Sequence, residues 1–244
     1  MSGPVRSVSQ AFAILRLIAE SGPLTLSDVV RALELSPSSC FNLLATLLNE
    51  GVIEREASSK RYVLTRDWAK ADLFNAGRDR AMAEMLRAAM VQVAREHEAT
   101  VGLWKVSPGR RLQLLAHAQC NAAMRIQLAD GQRQPIGGGA VGRALAAAEM
   151  PGDAELARRF AEVRWQRPIQ LNTYLDQIVL ATKQGFAIDE AVTFTGVTSL
   201  AAVVGDERPA YLVSASVFAG SRSPEELQVL GTALRLTGMG ASTR

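Results

Sequence analysis

Two cysteines and two histidines among 244 residues leave little material for thiol or metal chemistry. Cys40 and Cys120 stand far apart, with no CxxC pair and no clustered histidine, so neither a disulfide framework nor a zinc site is indicated. Both read as small core residues, and no metal or cofactor is expected. His97 and His117 have no serine and acid at diagnostic spacing, which removes the familiar hydrolytic triads and leaves catalysis without support. No run of about 18 uncharged apolar residues occurs. The start MSGPVRSVSQ lacks the apolar core of a signal peptide. The sequence therefore predicts a cytoplasmic protein with no membrane partner.

Charge of one sign is scarce as well. The net charge is only +3, with a pI near 9.1, which suits nucleic-acid binding without demanding it. Across residues 1–66 the cations Arg6, Arg16, Arg31, Arg55, Lys60, Arg61 and Arg66 barely outnumber Glu20, Asp28, Glu34, Glu50, Glu54 and Glu56. The sharpest absence lies in LSPSSCFNLLATLLNEG, residues 35–51, which has the spacing of the second helix of a helix-turn-helix but carries no Lys or Arg between Ser36 and Glu50. Helices that read DNA commonly use cations on phosphates and guanines, so any DNA binding here must rest on where charge is placed rather than on bulk charge.

What is present is regular. The 48% hydrophobic and 21% charged composition is that of a globular protein, and the length allows one large domain or two ordinary ones. Residues 7–19 place Val8, Ala11, Phe12, Leu15 and Ile18 on one helical face. Gly22 and Pro23 end that helix, and Leu26, Val29, Val30 and Leu33 repeat the pattern behind a Thr25 or Ser27 cap. In the next helix Ser36 caps, Pro37 suits the first position, and Cys40, Leu43, Leu44, Leu47 and Leu48 face the core. Ser38, Ser39, Phe41, Asn42 and Ala45 then face outward, and Gly51 stops the helix. Two short strands, 52–55 and 61–64, follow around a polar turn at Ala57 to Lys60. Three helices and a basic-tipped hairpin make a winged helix-turn-helix, with Arg55, Lys60 and Arg61 set to meet a phosphate backbone.

Residues 67–99 are Ala-rich and helical, interrupted near Gly77, with apolar stripes of Leu73 and Phe74 and then Met82, Met85, Leu86, Met90 and Val93. Beyond them TVGLWKV and RLQLLAHA look like paired strands around Pro108 and Gly109, and Met124 to Leu128 like a third strand. Helices follow GGGAVGRALAAAEM and occupy residues 173–184. Two further strands, VTSLAAVVG and AYLVSASVF, precede a last helix capped by SPEEL. This order gives an α/β chain of the α+β kind with an antiparallel sheet rather than a Rossmann fold. The expected division is 1–66 as winged helix-turn-helix, 67–77 as linker helix and 78–244 as a second, α+β domain.

GGGAVG, residues 137–142, formally matches GxGxxG, but DGQRQPI before it is a turn and a proline instead of the apolar strand a dinucleotide site needs. The same glycines lead into a helix whose free N–H groups favour a carboxylate or phosphate; a purely structural turn fits equally. Asp189 falls at the end of a strand leaving a helix, Ser199 ten residues on, and Ser214 and Ser216 alternate along the last strand, so neighbouring strands can gather the three serines on one face.

Taken together the chain resembles the IclR family of bacterial transcription regulators. The N-terminal likeness runs through SVSQAFAILRLIAESGPLTLSDVVRALELSPSSCFNLLATLLNEGVIEREASSKRYVLT. The C-terminal likeness rests on QPIGGGAVGRALAA and KQGFAIDEAVTFTGVTSLAAVV. The resemblance implies a GAF-like effector domain behind the winged helix, a homodimer or homotetramer, double-stranded DNA with a palindromic operator as partner, and a small organic effector such as a carboxylate. It places Ala140 and Val141 where backbone N–H groups meet the effector, and Asp189, Ser199, Ser214 and Ser216 on its polar contacts. DNA contacts are expected from Ser36, Ser38, Ser39, Phe41, Asn42, Arg55, Lys60, Arg61 and Arg6. This sequence departs from the family pattern where Ser199 replaces a common Cys, Gly137 a common His, Pro37 a common Lys and Asn42 a common Arg, which implies a different ligand and operator. The competing reading is a small-molecule sensor or enzyme whose helix-turn-helix serves protein contacts.

Overall fold

The computed structural model describes residues 5–56, 59–71, 76–107, 110–205 and 211–240. The chain falls into two compact units, Met1–Arg78 and Asp79–Arg244.

In the first unit, α1 (Arg6–Ser21), α2 (Leu26–Leu33) and α3 (Pro37–Asn49) lead to a hairpin of β1 (Ile53–Arg55) and β2 (Tyr62–Leu64), followed by α4 (Arg66–Ala71). The ends of the helices are written in the sequence. Thr25 and Asp28 form a reciprocal capping box on α2, and the same hydrogen bonds from Thr25 hold the Asp28 carboxyl below its usual range. Ser36 accepts from the Ser39 N–H ahead of Pro37 on α3. The core gathers Ile14, Leu15, Ile18, Val29, Cys40, Leu44, Leu47, Val52, Ile53 and Tyr62. Burial in that apolar setting pushes the Cys40 thiol up.

One expectation fails in this unit: Val8 and Phe12 are 52% and 46% exposed, and the buried stripe runs through Ile14, Leu15 and Ile18. The two stripes are both helical in spacing, and only the packing partners choose between them. The turn residues Ala57 and Ser58 and the apolar pair Leu73 and Phe74 lie outside the described residues, as do Pro108 and Gly109.

The chain enters the second unit along α5 (Ala76–Glu96), which begins in the last residues of the first and contains Gly77 within its first turn. It continues through β3 (Thr100–Ser107), β4 (Arg111–Ala118), β5 (Arg133–Pro135), α6 (Gly139–Glu149), α7 (Asp153–Ala161), α8 (Leu171–Gln184), β6 (Ala187–Glu190), β7 (Val197–Val204), β8 (Tyr211–Phe218) and α9 (Pro224–Met239). Among the described residues the strands form one sheet in the order β5-β4-β3-β8-β7-β6, every neighbour antiparallel.

The period of two divides this sheet cleanly. Val213, Ala215 and Val217 of β8 join Leu200 and Ala202 of β7 in a core with Leu86, Met90 and Val93 of α5 and Leu230 and Leu234 of α9. Leu212 of β8, Ala201 of β7 and Trp104 of β3 face the other way, toward Ala140, Val141, Ala144 and Leu145 of α6. Met85 leaves the expected α5 stripe and is 46% exposed. Residues 124–128 do not form the expected third strand; β5 pairs with that edge of β4 instead. The segment lies over the sheet, where the Thr100 hydroxyl donates to the Ile126 carbonyl at 2.5 Å. The absent side chain of Gly102 leaves the space that Leu128 and Trp104 occupy. No helix among the described residues is long and apolar enough to cross a membrane.

Candidate functional site

Two surfaces carry the residues singled out by sequence. On α3, Ser38, Ser39, Phe41 and Asn42 are exposed opposite the buried Cys40, Leu44 and Leu47. Phe41 is 58% exposed, an apolar ring presented to solvent. Ser36 is used differently: its hydroxyl accepts from Ser39 N–H at 3.2 Å, donates to Ser39 Oγ at 2.8 Å, and lies 3.3 Å from Ser38 Oγ. Its chemistry is therefore committed to the start of the helix.

The hairpin holds its cations in place. Arg55 Nε donates to the Lys60 carbonyl at 3.4 Å, and its guanidinium sits 5.6 Å from the Tyr62 ring centroid. Lys60 occupies a left-handed conformation at φ 56°. Arg61 is exposed, yet its Nη1 donates to the Pro23 carbonyl at 3.1 Å, tying the wing to the turn between α1 and α2. Arg6 is the exposed first residue of α1.

The second surface is a cavity of about 340 Å³ on the α6 face of the sheet. The first turn of α6 contributes Gly139, Ala140 and Val141, and the strands contribute Ser199, Ser214 and Ser216. Register explains the convergence: Ser199 lies opposite Ser216 and Ala201 opposite Ser214, so all three serines project to one face. Trp104 enters from β3 and donates its indole N–H to Ser214 Oγ at 2.8 Å. The outer wall consists of Gln166, Phe194 and Thr195, joined by a 2.7 Å hydrogen bond from Thr195 N–H to Gln166 Oε1. Ala140 and Val141, in the first helical turn, have no intrahelical acceptor for their N–H groups.

Asp189 does not line this cavity. It faces the same side as Ser199, its partner across β6 and β7, but its carboxylate is 1% exposed and fully engaged. Oδ1 accepts the N–H groups of Val192 and Thr193, and Oδ2 accepts the Thr193 hydroxyl at 2.6 Å and Arg143 Nη1 at 2.8 Å. Thr193 Oγ1 in turn accepts Gly139 N–H at 3.1 Å, so one buried acid links the loop after β6 to the start of α6. Arg143 is fully buried, donates to Gln177 Oε1 at 2.7 Å, and packs over the Trp165 and Tyr174 rings at 5.4 and 5.3 Å. Burial raises the Tyr174 phenol above its ordinary range, against the opposing pull of Arg143 and Arg159.

The glycines belong to close packing. A side chain at Gly137 would meet the Arg159 carbonyl, and one at Gly142 the backbone of Gly137. The strand before them, β5, is a three-residue antiparallel edge, so the parallel unit of a dinucleotide site is absent. Trp104, the cavity glutamines and Arg143 escaped the sequence reading. Pairing β3 with β8, which sets Gly102 opposite Ser214, is the signal that brings Trp104 to the serine face.

A family model for the IclR helix-turn-helix domain matches residues 7–57, and one for the C-terminal domain of the bacterial transcriptional regulator IclR matches residues 77–242. The chain belongs to the IclR family. It is a DNA-binding transcription regulator and not an enzyme, which removes the enzyme alternative. The HTH-type transcriptional regulator BhcR of Paracoccus denitrificans is 27% identical over 84% of this chain and 74% of its own length. The glycerol operon regulatory protein of Streptomyces coelicolor is 28% identical over 85% and 82%. Among solved structures, an IclR-family chain from Rhodococcus sp. shares the fold at a TM-score of 0.70 and 19% identity, covering 99% of each chain. The IclR regulator of Alicyclobacillus acidocaldarius does so at 0.59 and 20%, covering 98% of each.

Proposed function

We propose that this IclR-family regulator binds a palindromic operator as a homodimer or homotetramer and adjusts that binding to a small organic effector, such as a carboxylate, held in the α6-face cavity. The working division is a DNA-binding part at 1–66, a linker at 67–77 and an effector part at 78–244. In this reading α3 enters the major groove, where Ser38, Ser39 and Asn42 meet base edges or phosphates and Phe41 meets a thymine methyl. Arg55, Lys60, Arg61 and Arg6 meet backbone phosphates. Ser36 contributes by holding the end of α3.

The observation that supports the effector reading is the cavity itself, lined together by Ala140 and Val141 from the first turn of α6 and by Ser199, Ser214 and Ser216 from the sheet. Asp189 shapes this site from behind by fixing Thr193 and α6. The effector acts by population shift, so it must bind two arrangements of the assembled regulator unequally. A gel shift with the DNA upstream of the gene, run with and without small carboxylates, tests both halves. A discrete, salt-sensitive complex whose midpoint moves with an acid is expected. No complex at low salt would overturn operator binding, and a complex indifferent to every acid would overturn the effector assignment.

A further inference from the structure

The lining of the α6-face cavity contains no Lys, Arg, His, Asp or Glu among its described residues. The buried pair Arg143 and Asp189 does not line the cavity: Arg143 Nη1 meets Asp189, and Nη2 has no hydrogen-bond partner among the described residues. An anion in the cavity therefore meets only dipoles and hydroxyls. The first turn of α6 offers N–H groups and the positive end of the helix, enough for one carboxylate. A second negative charge would be buried without a counter-ion, at a large desolvation cost.

Two serines offer polar groups to the cavity. Ser216 is only 7% exposed and lines the cavity, with no hydrogen-bond partner for its hydroxyl among the described residues. Ser214, 3% exposed, takes the Trp104 N–H, which leaves its own proton free to donate.

Four glutamines specify the rest. Gln134 Nε2 donates to the Gly138 carbonyl at 3.4 Å, leaving Oε1 as an acceptor. Gln166 Oε1 accepts Thr195 N–H, leaving its NH₂ as a donor. Gln127 and Gln132 also line the cavity, and neither amide has a partner among the described residues. A fixed neutral acceptor, a fixed neutral donor and two adaptable amides suit hydroxyl groups, each of which both donates and accepts. A bare hydrocarbon chain would leave the buried Gln134 amide oxygen without a partner. Trp104, Leu128 and Val197 supply an apolar face for the carbon skeleton.

We propose that the cavity takes a hydroxylated monocarboxylate: a single carboxylate at the α6 first turn and the Ser214 and Ser216 edge, hydroxyls on the glutamines, and no second charge. This rests on the reading of the cavity as the effector site. Calorimetry on the full chain with matched acids tests it: gluconate against hexanoate, quinate against cyclohexanecarboxylate, and the diacid glucarate.

At least one hydroxylated monoacid is expected to bind about tenfold or more tighter than its bare counterpart and than glucarate, because a site built for hydroxyls rejects ligands that lack them. Gln166→Met, at an exposed position of the outer wall, is expected to cost the hydroxylated acid about tenfold more affinity than it costs the bare acid. Ser216→Ala is expected to weaken both acids. A bare acid or glucarate that binds as tightly and weakens with Ser216→Ala overturns the ligand class while keeping the effector site. Hydroxy-acid binding unaffected by Gln166→Met also overturns the class. No binding by any of the five acids, together with an operator complex indifferent to all of them, overturns the class and the effector site together.

Discussion

The α3 face and the α6-face cavity both present neutral groups, serine and asparagine in one, serine and glutamine in the other, and both keep their charges to the side. The difference lies in how those charges are held. Around α3 they are exposed, on Arg55, Lys60, Arg61 and Arg6, where water and salt screen them. Behind the cavity they are buried, with Arg143 0% and Asp189 1% exposed. An exposed cation can be gained or lost at small cost to the fold and tunes binding strength. A buried pair cannot be tuned one member at a time, because removing either leaves an uncompensated charge. The first arrangement suits adjustment of affinity, and the second suits the fixing of shape.

The largest effect that separates them should come from the buried side. Asp189→Ala or Arg143→Met is expected to cost about 3–5 kcal/mol in urea unfolding, and the double variant to recover part of that loss. If the single variants cost no more than Arg61→Ala does, the contrast collapses. Next, Gly142→Ala forces a methyl against the backbone of Gly137. Overpacking of this kind is expected to cost about 1–3 kcal/mol in thermal melts. A neutral result would mean that the α6 turn gives way.

On the exposed side, Asn42→Ala is expected to lose about 1–3 kcal/mol on operator DNA and little on random DNA. Equal loss on both would remove base reading from α3. Arg61→Ala is expected to weaken all DNA alike and to reduce the slope of log affinity against log salt by about one phosphate. Its hydrogen bond to the Pro23 carbonyl calls for a melt alongside, to separate phosphate contact from wing docking.

The smallest effect concerns pH. Hydrogen bonds from Arg159 and then Arg158 lower the Glu155 carboxyl from 4.5 to about 2. The unfolded chain binds this proton more readily than the folded one between those values. Glu155 thus adds stability that is complete above pH 4.5 and fades as pH falls toward 2. Glu155→Gln should flatten that part of an acid-unfolding curve; an unchanged curve would show that solvent screens the pair.

Much of the N-terminal unit was legible because its signals are local. Caps at Thr25 and Ser36, Pro37 at the first helical position, and the apolar repeat of α3 are each read within one or two turns. Which stripe of α1 is buried was not legible, since Val8 and Phe12 fit helical spacing as well as Ile14 does. In the cavity, the alternation of Ser214 and Ser216 and the glycine turn before α6 gave the inner end. The glutamines gave no signal, since they sit at scattered positions from 127 to 166 and only the path of the chain brings them together. Residues 124–128 read as a strand by composition, but competition for the edge of β4 goes to β5.

By itself the sequence determined most of the elements, their order, and an exposed face of α3 without cations of its own, because capping, periodicity and charge are properties of neighbours along the chain. Tertiary structure decided the role of Asp189. Its position beside Ser199 is a matter of register, but whether its carboxylate meets a ligand or a protein cation depends on Arg143, 46 residues away in the chain and 2.8 Å away in space. A buried acid takes whichever partner relieves its desolvation, and only the packing of α6 against the sheet supplies that partner.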